Sequence, residues 1–205
     1  VYQVSPEVLD LVRTYDQGEW PNTLARYLKE QGTLADRYAR ERDMSMIPLR
    51  ISDQELRLTP GAHSELIKAI IEAFGPRFAP GAEVLYVGDT GSKLVHFDQE
   101  AFRSLGLTFD SHGKFPDVVL YHREMNWLLL IEAVTSHGPV DAKRHAELEA
   151  LFTSAAAGLV YVTAFPNRQT MARYLADISW ETEVWVADAP SHHIHFNGDN
   201  YFGPH

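Results

Sequence analysis

The sequence contains no cysteine, and this absence excludes disulfide scaffolds, thiolate zinc sites and cysteine nucleophiles. It also has no apolar run of roughly eighteen residues and no basic start followed by an apolar stretch, so we expect neither a spanning helix nor a signal peptide. The cytoplasm is the expected location, with no membrane partner. Enzyme chemistry would have to come from carboxylates, histidines, lysines or hydroxyl groups. Because the chain begins at Val1 rather than at methionine, we expect it to be a fragment or a processed form.

Basic charge is scarce: 18 lysines and arginines stand against 28 acidic residues, for a formal net charge of −10. Most of the acidic excess lies after residue 80, which argues against non-specific binding of polyanions by that part. A cluster of catalytic carboxylates would produce the same excess. The 205 residues, 45% of them hydrophobic, suffice for one globular domain with an appendage.

Helical spacing of apolar residues marks the first part of the chain. Residues 6–15 and 21–30 fit two short amphipathic helices. Residues 35–58 are rich in arginine and lack a core-facing stripe, which predicts an exposed helix or a mobile connection. After the turn signal at 59–61, apolar residues from Leu66 to Phe74 predict a helix that Gly75 and Pro76 end.

The period changes from residue 83 onward to short apolar runs at 84–87, 118–121, 128–131, 159–162 and 184–186. Runs of this kind are typical of strands buried on both faces. We therefore predict an α/β fold, a central mixed β-sheet flanked by helices, with intervening helices at about 139–152 and 168–178. The expected division is a helical N-terminal region, 1–58, and an α/β domain, 59–205.

Two carboxylates stand at the ends of neighbouring predicted strands. Asp117 precedes the run at 118–121 and Glu132 follows the run at 128–131; an antiparallel pair joined at 122–126 would bring them together. Paired carboxylates suit a divalent, oxygen-ligated cation of the kind that serves phosphodiester hydrolysis. The alternative is that Asp117 caps a turn and Glu132 pairs with an arginine elsewhere in the chain.

Phosphodiester hydrolysis also needs a cation near the reacting groups. Val134, the same-face position two residues past Glu132, cannot supply one. Lys143 and Arg144 fall in the first turn of the next predicted helix, where cations oppose the helix dipole unless an anion lies nearby. They either face the carboxylates or a phosphate, or point into water.

Several blocks of sequence, in the same order, resemble the BsuBI/PstI family of type II restriction endonucleases over about residues 60 to 205. The blocks are residues 115–120, 130–139, 161–165, 180–185 and 195–198. The resemblance implies a PD-(D/E)XK nuclease fold and Mg²⁺-dependent cleavage of double-stranded DNA at a short palindrome, CTGCAG being typical of the family. A palindrome mirrors two-fold protein symmetry, so the implied assembly is a homodimer.

The resemblance places Asp117 and Glu132 at the two acidic, metal-binding positions of the nuclease motif. Val134 departs from the motif because a lysine is usual there. We predict Lys143 as the migrated catalytic lysine, with Lys93 and Lys114 as the alternatives.

Further positions are predicted to support catalysis or to contact DNA. Glu65 matches the place of an accessory acidic residue, or is an exposed helix carboxylate. We predict contacts to the DNA backbone from the arginine-bearing stretch 37–57 and from four single residues: Lys93, Lys114, Arg144 and His137. For His137 taken by itself, a structural role in a turn is the favoured interpretation.

Three histidines near the end suggest zinc, but only His193 and His195 share a face of an extended segment. The third ligand would have to come from elsewhere. The resemblance to the family implies instead a packed C-terminal turn with a hairpin at 197–198. Trp180 and Trp185 are predicted in the core or in an interface.

Two further functions compete with the endonuclease. One is a catalytically inactive DNA-binding or dimerisation module of the same fold, favoured by Val134. The other is a metal-dependent phosphohydrolase of small molecules, favoured by the acidic charge, which predicts no tight or salt-dependent DNA binding.

Overall fold

The computed structural model describes residues 4, 6–31, 34–88, 94–108 and 114–196. The chain divides into two compact units, Val1–Met46 and Ile47–His205. The described residues of the first unit form three helices: α1, Pro6–Arg13; α2, Trp20–Gln31; and α3, Leu34–Ser45. The first two match the predicted amphipathic helices. Among the described residues, no helix combines the length and the apolar character needed to cross a membrane.

A β-hairpin opens the second unit, with strands β1, Ile47–Ile51, and β2, Gln54–Leu58. The prediction of an exposed helix or a connection over 35–58 is therefore wrong for 47–58, although α3 fulfils it for the first half. Ile47, Leu49 and Ile51 are buried while the residues between them are exposed. This alternation is the strand period, and it extends over too few residues to stand out in a stretch dominated by charge.

The next segment is helical from residue 62 to 78. It comprises α4, Ala62–Ala69, a π-helical turn, Ile70–Phe74, and α5, Gly75–Phe78. The predicted stop at Gly75 and Pro76 is wrong. Pro76 lies in the first turn of α5, directly after the π-helical turn, so the proline ring lies where the regular α-helical hydrogen-bond pattern is already interrupted.

Seven strands form the central sheet: β3, Glu83–Val87; β4, His96–Phe97; β5, Val118–His122; β6, Trp127–Ala133; β7, Gly158–Phe165; β8, Thr182–Val186; and β9, His193–Phe196. Their order is β4-β3-β5-β6-β7-β8-β9. The pairs β6–β7 and β7–β8 are parallel and the others are antiparallel. Each of the five predicted apolar runs is a strand, and the predicted mixed sheet is confirmed.

Helices cover both faces of this sheet. The α4–α5 segment and the hairpin pack on one face, against Leu120, Ile131 and Trp185. The helices α6, Gln99–Ser104, and α7, Ala142–Phe152, pack on the other. The last helix, α8, Arg168–Tyr174, packs beside β7 and β8. Burial of both faces is the reason that the strands read as unbroken apolar runs.

Candidate active site

The two predicted carboxylates meet at one end of the central sheet. In the antiparallel pair β5–β6, Val118 faces Ile131, so continuing the register by one residue sets Asp117 opposite Glu132. The Ala133 N–H donates a hydrogen bond of 2.8 Å to Asp117 Oδ2. The hairpin turn at 122–126 thus produces the juxtaposition that the sequence predicts.

An arginine from α7 holds Glu132. Glu132 Oε1 accepts hydrogen bonds from Arg144 Nε at 2.8 Å and from Arg144 Nη2 at 2.6 Å. Both side chains are only 16% exposed. Arg144 Nη2 also donates to the Phe115 carbonyl at 3.1 Å, so the guanidinium joins both strand ends. Arg144 is therefore the arginine that the alternative interpretation of Glu132 required.

The start of α7 positions this arginine. Asp141 is the N-cap residue, and its Oδ1 accepts a hydrogen bond of 2.6 Å from the Arg144 N–H. The cap satisfies a backbone donor that has no partner within the helix. Arg144 lies in the first turn, where a cation needs an anion nearby to offset the helix dipole. Glu132 is that anion.

A histidine that the sequence analysis did not single out reaches Asp117 from α4. His63 Nε2 lies 3.4 Å from Asp117 Oδ1, and the two side chains are 21% and 27% exposed. His63 precedes Ile67 by four residues, so it shares the core-facing side of the helix. That spacing was a usable signal. Glu65, the predicted accessory acid, is exposed in the same helix.

Burial raises the pKa of Glu132 to about 7, and the negative charge of Asp117 adds to the rise, although Arg144 and His63 oppose it. Burial also raises the pKa of the Tyr86 hydroxyl on β3, with smaller contributions from the charges of Asp117 and Glu132. The fold thus disfavours two ionised carboxylates side by side. A divalent cation would remove that penalty, and carboxylate oxygens are its preferred donors. The residues present therefore fit a metal held by Asp117 and Glu132.

The raised pKa of Glu132 predicts a pH-dependent stability of the metal-free chain. Between pH 4.5, the ordinary value, and about 7, the unfolded chain has lost the Glu132 proton while the folded chain keeps it. The contribution of Glu132 to the free energy of unfolding therefore falls by about 3 kcal/mol as the pH rises through this window. Glu132→Gln removes the titration, so the free energy of unfolding of the unmutated chain should fall relative to this variant between pH 5 and 8.

Urea unfolding in the presence of a chelator measures this difference. Glu65→Gln, at an exposed carboxylate of α4, is the matched control and should run parallel to the unmutated chain. If the free energies of unfolding of Glu132→Gln and of the unmutated chain change in parallel with pH, the raised pKa of Glu132 is contradicted.

Comparison with known proteins places this site in a family. Residues 47–199 match the family model described as the BsuBI/PstI restriction endonuclease domain, so the match includes the hairpin as well as the central sheet. The chain belongs to the BsuBI/PstI restriction endonuclease family. The resemblance seen in the sequence is confirmed.

Two curated relatives and a solved structure support the membership. The chain is 61% identical over 206 residues to the type II restriction enzyme BsuBI of Bacillus subtilis, an alignment that covers 100% of this chain and 65% of that enzyme. It is 31% identical to the type II restriction enzyme AplI of Arthrospira platensis, covering 98% of this chain and 64% of AplI. The structure of the SdaI restriction endonuclease matches with a TM-score of 0.76 and 43% identity, over 98% of this chain and 64% of SdaI. The chain thus spans just under two thirds of the length of these BsuBI/PstI family relatives, and it has the predicted PD-(D/E)XK nuclease fold.

Lys143 contacts Glu147, and it contacts neither Asp117 nor Glu132 in the described structure. Its side chain is 81% exposed, and Nζ lies 3.7 Å from Glu147 Oε1. Val134, in the usual lysine position, is buried and donates its N–H to the Ala164 carbonyl. Arg144 is thus the cation that the described structure places on Glu132. The catalytic role of Lys143 stays a prediction.

The remaining predicted residues are dispersed. His137 is exposed, with Nδ1 3.2 Å from Ser136 Oγ. Lys114 is exposed and lies three residues before Asp117. Lys93 lies outside the described residues. Arg144 forms an ion pair with Glu132, so its predicted DNA contact would have to coexist with that pair. The DNA contacts of all four residues stay predictions.

The end of the described chain differs from the prediction. Residues 193–196 form the edge strand β9 rather than a packed turn, and the predicted hairpin at 197–198 lies outside the described residues. Trp185 is fully buried, as predicted, and Trp180 is 69% exposed. The strand aligns His193 and His195 with β8.

Proposed function

We propose that this chain is the catalytic part of a type II restriction endonuclease that uses Mg²⁺ to hydrolyse double-stranded DNA at a short palindrome. The observation that carries the proposal is the pair Asp117 and Glu132, set opposite each other at the ends of β5 and β6. Membership of the BsuBI/PstI family supports it, and so does 61% identity to an enzyme of this type.

In this proposal Asp117 and Glu132 hold the metal. When bound, a divalent cation supplies an acidified water and neutralises charge on the phosphate. The Ala133 N–H and His63 fix the orientation of the Asp117 carboxylate. Arg144 fixes the orientation of Glu132 and favours its ionised form, which is the form that can bind a cation.

The proposed hydrolysis also needs a cation near the reacting groups. Lys143 remains the proposed lysine, and it would have to leave Glu147 to reach the carboxylates. Arg144, already on Glu132, acts as a positioning residue. A comparison of Lys143→Ala with Lys114→Ala tests the lysine, since a role in catalysis requires a larger loss of cleavage from the first.

The proposed assembly is a homodimer in the cytoplasm, in which each chain cuts one DNA strand. Two-fold symmetry then matches the palindrome, and CTGCAG is the first sequence to test. The proposed contacts to the DNA backbone come from the arginine-bearing stretch 37–57 and from Lys93, Lys114, Arg144 and His137. Bound Mg²⁺ would offset part of the acidic charge near the phosphates.

An inactive DNA-binding or dimerisation module is the second candidate, and buried Val134 favours it. A module without catalysis would have no use for two carboxylates placed side by side at an energetic cost. The raised pKa of Glu132 is a measure of that cost. We therefore favour the enzyme.

Cleavage of a plasmid with one CTGCAG site tests the proposal. We expect full-length linear DNA with Mg²⁺ and uncut DNA with a chelator, because the carboxylates alone cannot activate water. A plasmid that differs only by a base change in CTGCAG is the matched control and should stay uncut. Intact DNA in both Mg²⁺ and Mn²⁺ would reject the endonuclease for this chain, and a smear on both plasmids would reject site specificity.

A further inference from the structure

The outer edge of the sheet, on β8 and β9, carries a second cluster of potential metal ligands. It consists of Glu183, His193 and His195, each of which offers a ligand atom within 4.8 Å of the others. The antiparallel register pairs Glu183 with His195 and Trp185 with His193. The three side chains therefore lie on one face of the sheet as cross-strand and diagonal neighbours. Glu183 is the third ligand that the sequence analysis lacked.

Hydrogen bonds already hold the three side chains of the cluster together. His195 Nδ1 lies 2.6 Å from Glu183 Oε1, so its proton is placed on Nδ1 and its Nε2 carries the lone pair. His193 Nε2 lies 3.0 Å from His195 Nε2. With the His195 lone pair on Nε2, His193 Nε2 is the donor of this contact, and a metal ion would take the place of its proton.

The distances suit a tetrahedral ion. Zn–N bonds of 2.0–2.1 Å set neighbouring ligand atoms about 3.3 Å apart in a tetrahedron. The two Nε2 atoms are 3.0 Å apart, and His193 Nε2 lies 3.8 Å from Glu183 Oε2. These two separations lie on either side of the tetrahedral value. The third pair is joined through His195 Nδ1 and Glu183 Oε1 at 2.6 Å, so binding of the ion requires this hydrogen bond to break and the Glu183 carboxylate to turn toward the ion.

One atom of the cluster lacks a hydrogen-bond partner. Glu183 Oε2 is buried and accepts no hydrogen bond in the described structure. Beside it lies an apolar pocket of ≈ 150 Å³, lined in part by Phe78, Leu129 and Val162. An unsatisfied carboxylate oxygen against apolar walls is costly, and a cation shared with the two imidazoles would satisfy it.

We propose that Glu183, His193 and His195 form a Zn²⁺ site that fastens the edge strand β9 to β8. Two imidazoles and one carboxylate favour Zn²⁺ over Mg²⁺, which prefers oxygen ligands. The site is separate from Asp117 and Glu132, and it does not depend on the proposed nuclease activity. The histidine side chains are 32% and 59% exposed, so water can complete the coordination.

Titration of the metal-stripped, tag-free chain with Zn²⁺, in competition with a chelating indicator, tests the proposal. We expect one Zn²⁺ per chain in this site. His193→Ala, His195→Ala and Glu183→Gln should each weaken binding by at least about 100-fold, since loss of an outer-shell partner alone costs 10–100-fold. Co²⁺ at the same site should show the visible bands of tetrahedral coordination, and each of the three variants should lose them.

Two control variants show whether Zn²⁺ binds to this cluster or elsewhere on the chain. His192→Ala removes the neighbouring exposed histidine, which contacts Ser191, and Asp117→Ala removes a carboxylate of the candidate active site. Both should keep the Zn²⁺ affinity within about twofold of the unmutated chain, because neither residue belongs to the cluster. Far-UV circular dichroism checks that the variants fold; if His195→Ala does not, His195→Gln replaces it.

Thermal unfolding gives an independent readout. At a free Zn²⁺ concentration 100 times Kd, the midpoint of unfolding should rise by about 5 to 10 °C. The rise should vanish in Glu183→Gln and persist in His192→Ala. Absence of a stoichiometric site, or Zn²⁺ binding that survives both His193→Ala and His195→Ala, overturns the proposal.

Discussion

Exchange of Asp117 for asparagine is expected to reduce metal-dependent DNA cleavage by a factor on the order of 10³ or more, and to leave the chain at least as stable as before. Asparagine keeps an oxygen that can accept the hydrogen bond from the Ala133 N–H. It removes the negative charge that a metal needs and that raises the pKa of Glu132. Loss of function and preserved stability thus have the same electrostatic origin.

Two measurements on the same variant check this result. The rate of plasmid linearisation in Mg²⁺ reports the activity, and urea unfolding in a chelator at pH 8 reports the stability. Without the Asp117 charge, the pKa of Glu132 should move down toward its ordinary value, and each unit of that movement adds about 1.4 kcal/mol at pH 8.

Asp98→Asn is the matched control for this exchange. Asp98 caps α6 through a hydrogen bond from the Ala101 N–H, and asparagine is an equally good N-cap residue. We expect both its activity and its stability to stay at the level of the unmutated chain. An Asp117→Asn chain that cleaves at an ordinary rate would remove Asp117 from the metal site, and a clearly destabilised chain would contradict the electrostatic argument.

The fold could be predicted from the sequence where burial is complete on both faces. The runs that became β5, β6 and β7 are apolar without interruption, which leaves little choice of structure. The hairpin β1–β2 was missed because its apolar positions alternate over only five residues per strand. The edge strand β4 has two residues, too few for any period to be recognised.

The candidate site could be predicted in part, for a related reason. Asp117 and Glu132 belong to strands joined by a short turn, so their register follows from the local sequence. The partners come from elements whose approach depends on tertiary packing: Arg144 from α7, His63 from α4. The same holds for Glu183, which faces His195 only because β9 returns alongside β8.

Replacement of Arg144 by methionine is expected to lower the free energy of unfolding of the metal-free chain by about 3 kcal/mol at pH 8. Methionine fills similar space but leaves the buried Glu132 carboxylate without its cation. Because Arg144 lowers the pKa of Glu132, its removal raises that pKa further above 7. The loss should therefore shrink at pH 5, where the carboxyl group is protonated and can be buried without a counter-ion.

Lys143→Met, one residue earlier in α7, is the matched control for Arg144→Met. It removes the same charge from a side chain that is 81% exposed, so its effect on stability should stay within about 0.5 kcal/mol. Arg144→Lys keeps the charge but cannot reproduce the paired bonds to Glu132, and we expect it to lie between the two. Equal stability of Arg144→Met and Lys143→Met at pH 8 would show that the ion pair with Glu132 contributes nothing. A loss confined to high pH would establish Arg144 as the group that keeps Glu132 ionised for a metal.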